Sequence, residues 1–143
     1  MTNQGKNAID VVLAESLKEL SHTRPIEKIT IKEITDKAGV IRPTFYNHFQ
    51  DKYDLLEWIA AEEVIASAAV PLRRGDRRAA LLTLFEKIME DAAFYRRAFL
   101  VTGQNGFEEA FIRRLKEMFL SCLPAKETAF LPDPLTPMPK PEK

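Results

Sequence analysis

The sequence has very few of the residues that bind metals or form covalent links. It contains one cysteine, Cys122, and two histidines, His22 and His48. A single cysteine excludes a disulfide within the chain and is typical of a reducing compartment. The two histidines and the cysteine do not have the ligand spacing of a zinc site. We therefore predict no metal site, and we expect no other cofactor.

An excess of one charge and a long apolar run are also absent. Lysine and arginine total 21, aspartate and glutamate total 21, and the formal net charge is zero. Bulk composition thus does not favour a polybasic binder of nucleic acid or of membrane surfaces. The longest uncharged run before Pro124, residues 98–107, is too short and too polar to span a bilayer. Apolar residues make up 45% of the 143 residues, so we expect a globular, cytoplasmic protein with a sizeable core.

Apolar residues recur with helical spacing, and no segment alternates long enough to predict a strand. In the first such run, from Ile9 to Leu20, the apolar positions are i, i+3, i+4, i+8 and i+11. The chain has only five glycines, and the three prolines before residue 124 lie between periodic runs. We predict an all-α fold with a helix-turn-helix domain at 1–56 and a small helical domain at 57–122. Six prolines in 123–143 predict an extended or disordered tail.

Two short helices within the first domain have clear signals. Thr30-Ile31-Lys32-Glu33 fits a capping box, in which the Thr30 and Glu33 side chains satisfy each other's backbone amides. Gly39 supplies a left-handed C-terminal cap, so this helix covers about two turns, residues 31–38. The next helix begins near Pro43, which suits a first turn because its missing N–H costs nothing there.

The second short helix has an apolar side and a polar side. Phe45 and Phe49 are four residues apart and point in the same direction. The opposite side holds Pro43, Thr44, Tyr46 and Asn47, and His48 lies on its flank. Two short helices joined by a glycine-containing turn and packed on a longer first helix predict a helix-turn-helix, whose second helix fits the major groove of DNA.

Further helices are predicted after this motif. Asp51 caps a long fourth helix, which Pro71 should end. Asp76 begins the next helix, with Leu81, Leu84, Phe85, Ile88 and Met89 as its apolar face. Another run closes at Gly103, and the last helix extends from Phe107 to Cys122.

The stretch from Ile9 to about Ile59 resembles the DNA-binding domain of the tetracycline-repressor (TetR) family. The matching residues are I-T-I-K-E-I-T-D-K-A-G-V, R-P-T-F-Y-N-H-F and D-K-Y-D-L-L. Segment 76–122, with F-Y-R-R-A-F and G-Q-N-G-F, resembles the effector domain of a subgroup that includes regulators of dihydroxyacetone kinase genes. The resemblance implies a transcriptional regulator that binds double-stranded operator DNA, and a ligand-responsive repressor in particular.

The resemblance also implies which residues contact DNA. They are Thr30, Lys32, Arg42, Pro43, Thr44, Tyr46, Asn47, His48 and Lys52. Many family members have Ser or a similar small polar residue where this chain has Ile41, so the usual cap of the recognition helix is weakened. Residues 1–56 contain eight basic and eight acidic side chains. Binding would therefore depend on where the charges lie rather than on their sum.

A palindromic operator requires two reading helices and so implies a homodimer. The family's usual dimer uses two long helices after residue 122, which the proline-rich tail cannot supply. We expect the dimer to use surfaces before Pro124, most plausibly the helix from Phe107 to Cys122. The resemblance also allows a small apolar effector, although aromatic and flexible apolar residues fill cores as readily as pockets. The candidate pocket residues are Phe85, Met89, Phe94, Tyr95, Phe99, Phe111 and Met118.

Two other function classes compete with a regulator: an enzyme and an interaction module. No P-loop, G-x-S-x-G or H-E-x-x-H motif occurs. The pairs Glu62-Glu63 and Glu108-Glu109 are adjacent in helices and do not face each other. We therefore predict that the protein is not an enzyme. The alternative to a regulator is a degenerate relative that keeps the fold and acts as a protein-interaction module without operator binding.

Overall fold

The computed structural model describes residues 7–122, and every regular element in that range is helical. The α-helices are α1 (Ala8–Ser21), α2 (Ile31–Ala38), α3 (Arg42–His48), α4 (Lys52–Glu63), α5 (Ala69–Arg73), α6 (Arg77–Glu90), α7 (Ala92–Phe99) and α8 (Phe107–Cys122). Short 3-10 turns occupy Ile26–Lys28, Ile65–Ala68 and Gly103–Asn105. The all-α prediction and the N-terminal helix-turn-helix are confirmed. The tail predicted at 123–143 lies outside the described residues.

The predicted start and stop signals of the short helices are present. The Thr30 hydroxyl accepts from the Glu33 amide at 3.1 Å, and the Glu33 carboxylate accepts from the Thr30 amide at 2.9 Å. Gly39 has φ of 76°, the left-handed conformation that a C-terminal cap requires. The Asp51 side chain caps α4 by accepting from the Asp54 amide at 2.8 Å. These local bonds fix the ends of α2 and the start of α4.

The short helix α3 is held in place by its two phenylalanines. Phe45 is fully buried and Phe49 nearly so, and their ring centroids are 5.9 Å apart. Phe49 also makes an edge contact with Trp58 of α4, with centroids 5.8 Å apart. A helix of seven residues is marginal by itself, so this burial is what keeps α3 folded.

The fourth helix is shorter than the sequence predicted. It ends at Glu63 rather than at Pro71, and Pro71 lies inside the first turn of α5. In one continuous helix the Pro71 ring would clash with the Ser67 carbonyl four residues earlier. The 3-10 turn at Ile65–Ala68 interrupts the helix and so prevents this clash. The chain then starts a new helix, α5, in whose first turn the missing N–H of Pro71 removes no helical hydrogen bond.

Helix α6 buries less of its predicted apolar face than expected. Leu84 is buried and Ile88 packs against the core, together with Ala80. Leu81, Phe85 and Met89, however, are exposed to solvent. The prediction of one buried face was wrong for these three, because the neighbouring elements cover only the side of α6 that carries Ala80 and Leu84.

A partly buried ionic cluster connects the first helix to the later ones. The Lys18 Nζ lies 2.7 Å from Glu63 at the end of α4 and 2.5 Å from Asp91 at the start of α7. Burial by itself would lower the pKa of Lys18, but hydrogen bonds to the two carboxylates outweigh it and raise that pKa. The Tyr95 hydroxyl donates to Glu63 at 2.9 Å. This cluster fixes the helix-turn-helix domain relative to α4 and α7, and the boundary predicted at residue 56 falls within α4 itself.

We expect Phe45→Ala and Tyr46→Ala to differ sharply in their effect on stability. Phe45→Ala truncates a fully buried ring and should reduce the free energy of unfolding by about 3–5 kcal/mol. Tyr46 is exposed and loses only an edge contact with Phe45, so Tyr46→Ala should cost about 1 kcal/mol or less. Urea unfolding of the wild type and of both variants measures the two losses in the free energy of unfolding. Equal losses would contradict the assignment of the two faces of α3.

Candidate nucleic-acid interface

The outer side of α3 presents polar and aromatic groups to solvent. Tyr46 is 55% exposed, Asn47 and Arg42 are also exposed, and Thr44 is half-buried. Pro43 stands in the first turn and is exposed as well. The structure therefore brings the residues predicted from Arg42 to Asn47 together on one surface. An α-helix of this diameter fits the major groove.

The charge of this surface is favourable although the domain has no net charge. Helix α3 contains no acidic side chain and carries Arg42 in its first turn. Lys32 of α2 is exposed, and its Nζ lies 2.8 Å from the Asp36 carboxylate one turn later. An exposed pair of this kind contributes little to stability, so Lys32 can exchange Asp36 for a phosphate at small cost.

His48 is tied to the first helix. Its Nδ1 atom lies 2.8 Å from an Asp10 carboxylate oxygen, and both side chains are largely buried. Asp10 therefore orients the ring and joins the end of α3 to α1. Because Nδ1 is engaged, a contact from this ring to DNA would come from Nε2.

Lys52 has a structural role in addition to the predicted DNA contact. Its Nζ donates to the backbone carbonyls of Glu27 at 2.9 Å and Ile29 at 2.6 Å. Burial lowers the pKa of Lys52, although nearby carboxylates, first among them that of Glu27, oppose the shift. Two of the three ammonium donors thus hold the segment before α2 against the start of α4. A phosphate would have to use the third.

Thr30 and Glu33 form a charged start to α2. Arg24 donates to the Glu33 carboxylate, whose other oxygen accepts from the Thr30 amide. The Arg24 guanidinium, helped by that amide, lowers the pKa of Glu33 from 4.5 to about 2. The Thr30 hydroxyl both donates to the Glu33 carboxylate and accepts from the Glu33 amide. It therefore has no further hydrogen to donate to a phosphate, and the predicted phosphate contact would rest only on the location of Thr30 at the start of α2.

The predicted pocket residues are divided between the surface and the core. Phe85 and Met89 are exposed on α6, whereas Phe94, Tyr95 and Phe111 are buried in the core. Phe99 packs in edge contacts with Phe107 and Phe111, and Met118 is half-buried. Two clefts that the structure does form have polar linings. One of about 300 Å³ lies between Tyr53, Glu57 and residues 103–113, and one of about 510 Å³ adjoins Lys18, Glu63, Lys87 and Asp91.

Sequence reasoning missed two residues of this region. Ile41 is 67% exposed directly before α3, and its backbone has the extended N-cap conformation without a side-chain cap. A large apolar side chain directly before α3 is a visible signal in the sequence, but its position at the cap of the helix predicts only weaker capping. Asp10 gave no signal, because its partner His48 is 38 residues away.

We expect Glu33 to make α2 sensitive to acid. Its folded pKa is lower than its unfolded pKa, so its stabilising effect is present above about pH 4.5 and is lost as the pH falls toward 2. Urea unfolding of the wild type and of Glu33→Gln should therefore differ most near neutrality and converge toward about pH 2. Glu15→Gln, at an exposed position of α1, is the matched control for one lost carboxylate. A difference that does not change with pH would contradict the charged role of Glu33.

No helix within residues 7–122 combines the length and apolar character needed to cross a membrane. Residues 15–59, which include all of α2 and α3, match the family model of bacterial regulatory proteins, tetR family. The chain is also 27% identical over 101 residues to the HTH-type dhaKLM operon transcriptional activator DhaS of Lactococcus lactis subsp. lactis (strain IL1403).

The second similarity reaches beyond the helix-turn-helix domain. It covers 71% of this chain and 53% of the relative, so the chain aligns with about half of that protein's length. The aligned length is more than twice that of the family match, and part of the similarity therefore lies in the later helices. Together with the geometry of α2 and α3, these findings show that residues 15–59 form a helix-turn-helix domain similar to that of the tetR family of bacterial regulatory proteins.

Proposed function

We propose that the chain is a sequence-specific regulator that places the outer side of α3 in the major groove of operator DNA. The observation that carries this proposal is the division of α3 into two sides. Phe45 and Phe49 are buried, while Arg42, Tyr46 and Asn47 face outward. The exposed side is not needed for folding, so its chemistry is available for recognition.

The side chains on this surface have the chemistry that reads base edges. A guanidinium such as that of Arg42 donates two hydrogen bonds to guanine, and a carboxamide such as that of Asn47 pairs with adenine. Thr44 and Tyr46 can contact either the bases or the adjoining sugar-phosphate backbone of the DNA. Lys32 and Lys52 lie outside α3 and suit phosphates, which position the helix without reading sequence.

Ile41 gives the surface an apolar group at the start of the recognition helix. A large apolar side chain that is 67% exposed loses water favourably when it meets another apolar group. The C5-methyl group of thymine is such a group in the major groove. We assign Ile41 to this contact, where a small polar residue would instead cap the helix.

The proposal includes repression as the direction of regulation. The resemblance in the sequence implies a ligand-responsive repressor, whereas the similar protein of Lactococcus lactis is named a transcriptional activator. A reporter gene behind the selected operator distinguishes repression from activation. The small apolar effector remains a prediction from the sequence.

Selection from random duplex DNA tests the proposed function. At low salt the wild-type chain should enrich a motif, and Tyr46→Ala should weaken binding to it by about 1–3 kcal/mol without loss of fold. Leu100→Ala, which changes an exposed apolar residue directly after α7, is the control and should bind as the wild type does. A folded wild type that enriches no sequence would reject the regulator and favour the interaction module.

Replacement of Ile41 by serine should separate capping from recognition. The backbone at residue 41 already has N-cap geometry, so Ile41→Ser should gain about 0.5–1 kcal/mol of stability from a new cap. The same change should relax the preference for thymine at one position of each half-site, while Ile41→Val should keep it. Thermal melting and repeated selection measure the two effects. An unchanged motif with Ile41→Ser would place Ile41 outside the base contacts.

A further inference from the structure

One side of α6 carries large apolar side chains that no element within residues 7–122 covers. They are 52–68% exposed, and they lie on successive turns of one helix. We call this patch the α6 stripe, and it consists of Leu81, Leu82, Phe85 and Met89. Exposed apolar patches on a folded protein mark places where another chain segment binds. The question is which segment covers this one.

We propose that residues 133–140 of the same chain bind along the α6 stripe, in the same direction as α6. Their sequence is D-P-L-T-P-M-P-K. Its three prolines exclude a helix and favour the polyproline II conformation, which has three residues per turn. Leu135 and Met138 are three residues apart, so that conformation places both on one edge. Proline-rich segments bind to apolar and aromatic surfaces in this way.

The spacing of the two apolar side chains matches the length of the stripe. In polyproline II, Leu135 and Met138 are about 9 Å apart along the segment. On α6, the rise from Leu82 to Met89 is about 10 Å. The two side chains of the segment therefore meet the two ends of the stripe, and Phe85 lies between them.

The order of charges along α6 indicates the direction of binding. Its first turn carries Arg77 and Arg78, and its C-terminal half carries Glu86 and Glu90. This is the opposite of the order that the dipole of a single helix favours. Lys87, 3.7 Å from Glu90, offsets only part of the acidic end. A segment with an acidic start and a basic end would make this order favourable.

The proposed segment has that charge order. Asp133 precedes its apolar residues and Lys140 follows them, about 22 Å apart in polyproline II. Arg78 and Glu90 are separated by about 18 Å along α6. Binding in the same direction places Asp133 near Arg78 and Lys140 near Glu90, whereas the reverse direction would place like charges together.

The segment can reach the stripe from the end of α8. Helix α5 contacts both α8 and α6, so it separates them by roughly two helix-packing distances of about 8–10 Å each. The 11 residues from Cys122 to Asp133 can span up to about 36 Å. The stripe covers a few hundred Å², less than the roughly 800 Å² per partner of a standard interface between chains. A tethered segment needs less contact area, because its effective concentration is in the millimolar range.

Disulfide trapping in the full chain tests the proposal. Cys122→Ser removes the native thiol. On that background, Phe85→Cys with Leu135→Cys should form a disulfide within one chain at least about tenfold faster than Leu100→Cys with Leu135→Cys. Leu100, directly after α7, is as exposed as Phe85 and is the matched control. Equal rates would overturn the proposal. Disulfides that form only between two chains would also overturn it, because they place a second copy on the stripe.

Thermal melting of full-length variants gives an independent test. On a bare helix Phe85→Ala should not lower Tm, because alanine favours the helical conformation. If Leu135 covers Phe85, Phe85→Ala and Leu135→Ala should each lower Tm by about 2–4 °C. The double variant should then melt close to the single variants, because both changes remove the same contact. Leu100→Ala should melt as the wild type does. A Phe85→Ala variant that melts as the wild type does, or two losses that add in full, would contradict the contact.

Charge exchange tests the direction of the segment. In the trapping background, Asp133→Lys should slow disulfide formation by about two- to fivefold, the range expected for an exposed ion pair. Adding Arg78→Glu should restore most of the rate. A rate that Asp133→Lys leaves unchanged, or that Arg78→Glu does not restore, would overturn the proposed direction. None of these measurements involves DNA, so their outcome is independent of the proposed function.

Discussion

The burial of two phenylalanines on one side of α3 is the constraint on which the rest of this structure depends. A seven-residue helix has too few internal hydrogen bonds to persist in water. Phe45 and Phe49 supply the missing stability through contacts with each other and with Trp58. Because that stability comes mainly from the inner side, the exposed side chains of the outer side contribute little to folding. The polar and aromatic groups from Arg42 to Asn47 can therefore serve recognition.

The supports of α3 extend this arrangement to the remainder of the chain. Asp10 fixes its last residue, His48, while Lys52 holds the segment before α2 against α4. Farther from α3, Lys18 connects α1 to the end of α4 and the start of α7. Lys18 and Asp10 both lie on α1, so side-chain contacts join the later helices to the end of α3. The fold thus contains a continuous physical connection between the later helices and the recognition surface.

Local signals were readable from the sequence, and contacts between distant residues were not. The capping box at Thr30, the glycine cap at Gly39 and the two sides of α3 follow from spacing over a few residues, and the structure confirms them. The His48–Asp10 contact and the carbonyl partners of Lys52 join residues 23 to 38 positions apart, which no periodicity reports. The exposed side of α6 was missed for a related reason. An apolar residue in a helical pattern indicates a preference for burial, but the pattern does not predict which neighbouring element, if any, covers that residue.

Titration of the isotopically labelled chain with its selected duplex, followed residue by residue by nuclear magnetic resonance, tests the central claim most directly. We predict the largest amide shifts in α3, from Arg42 to Asn47, and at the start of α2, with smaller changes at Asp10. The duplex with its motif scrambled should give weaker shifts in the same region. Strong shifts confined to α6 or α8, with α3 unaffected, would contradict the claim that the outer side of α3 reads DNA.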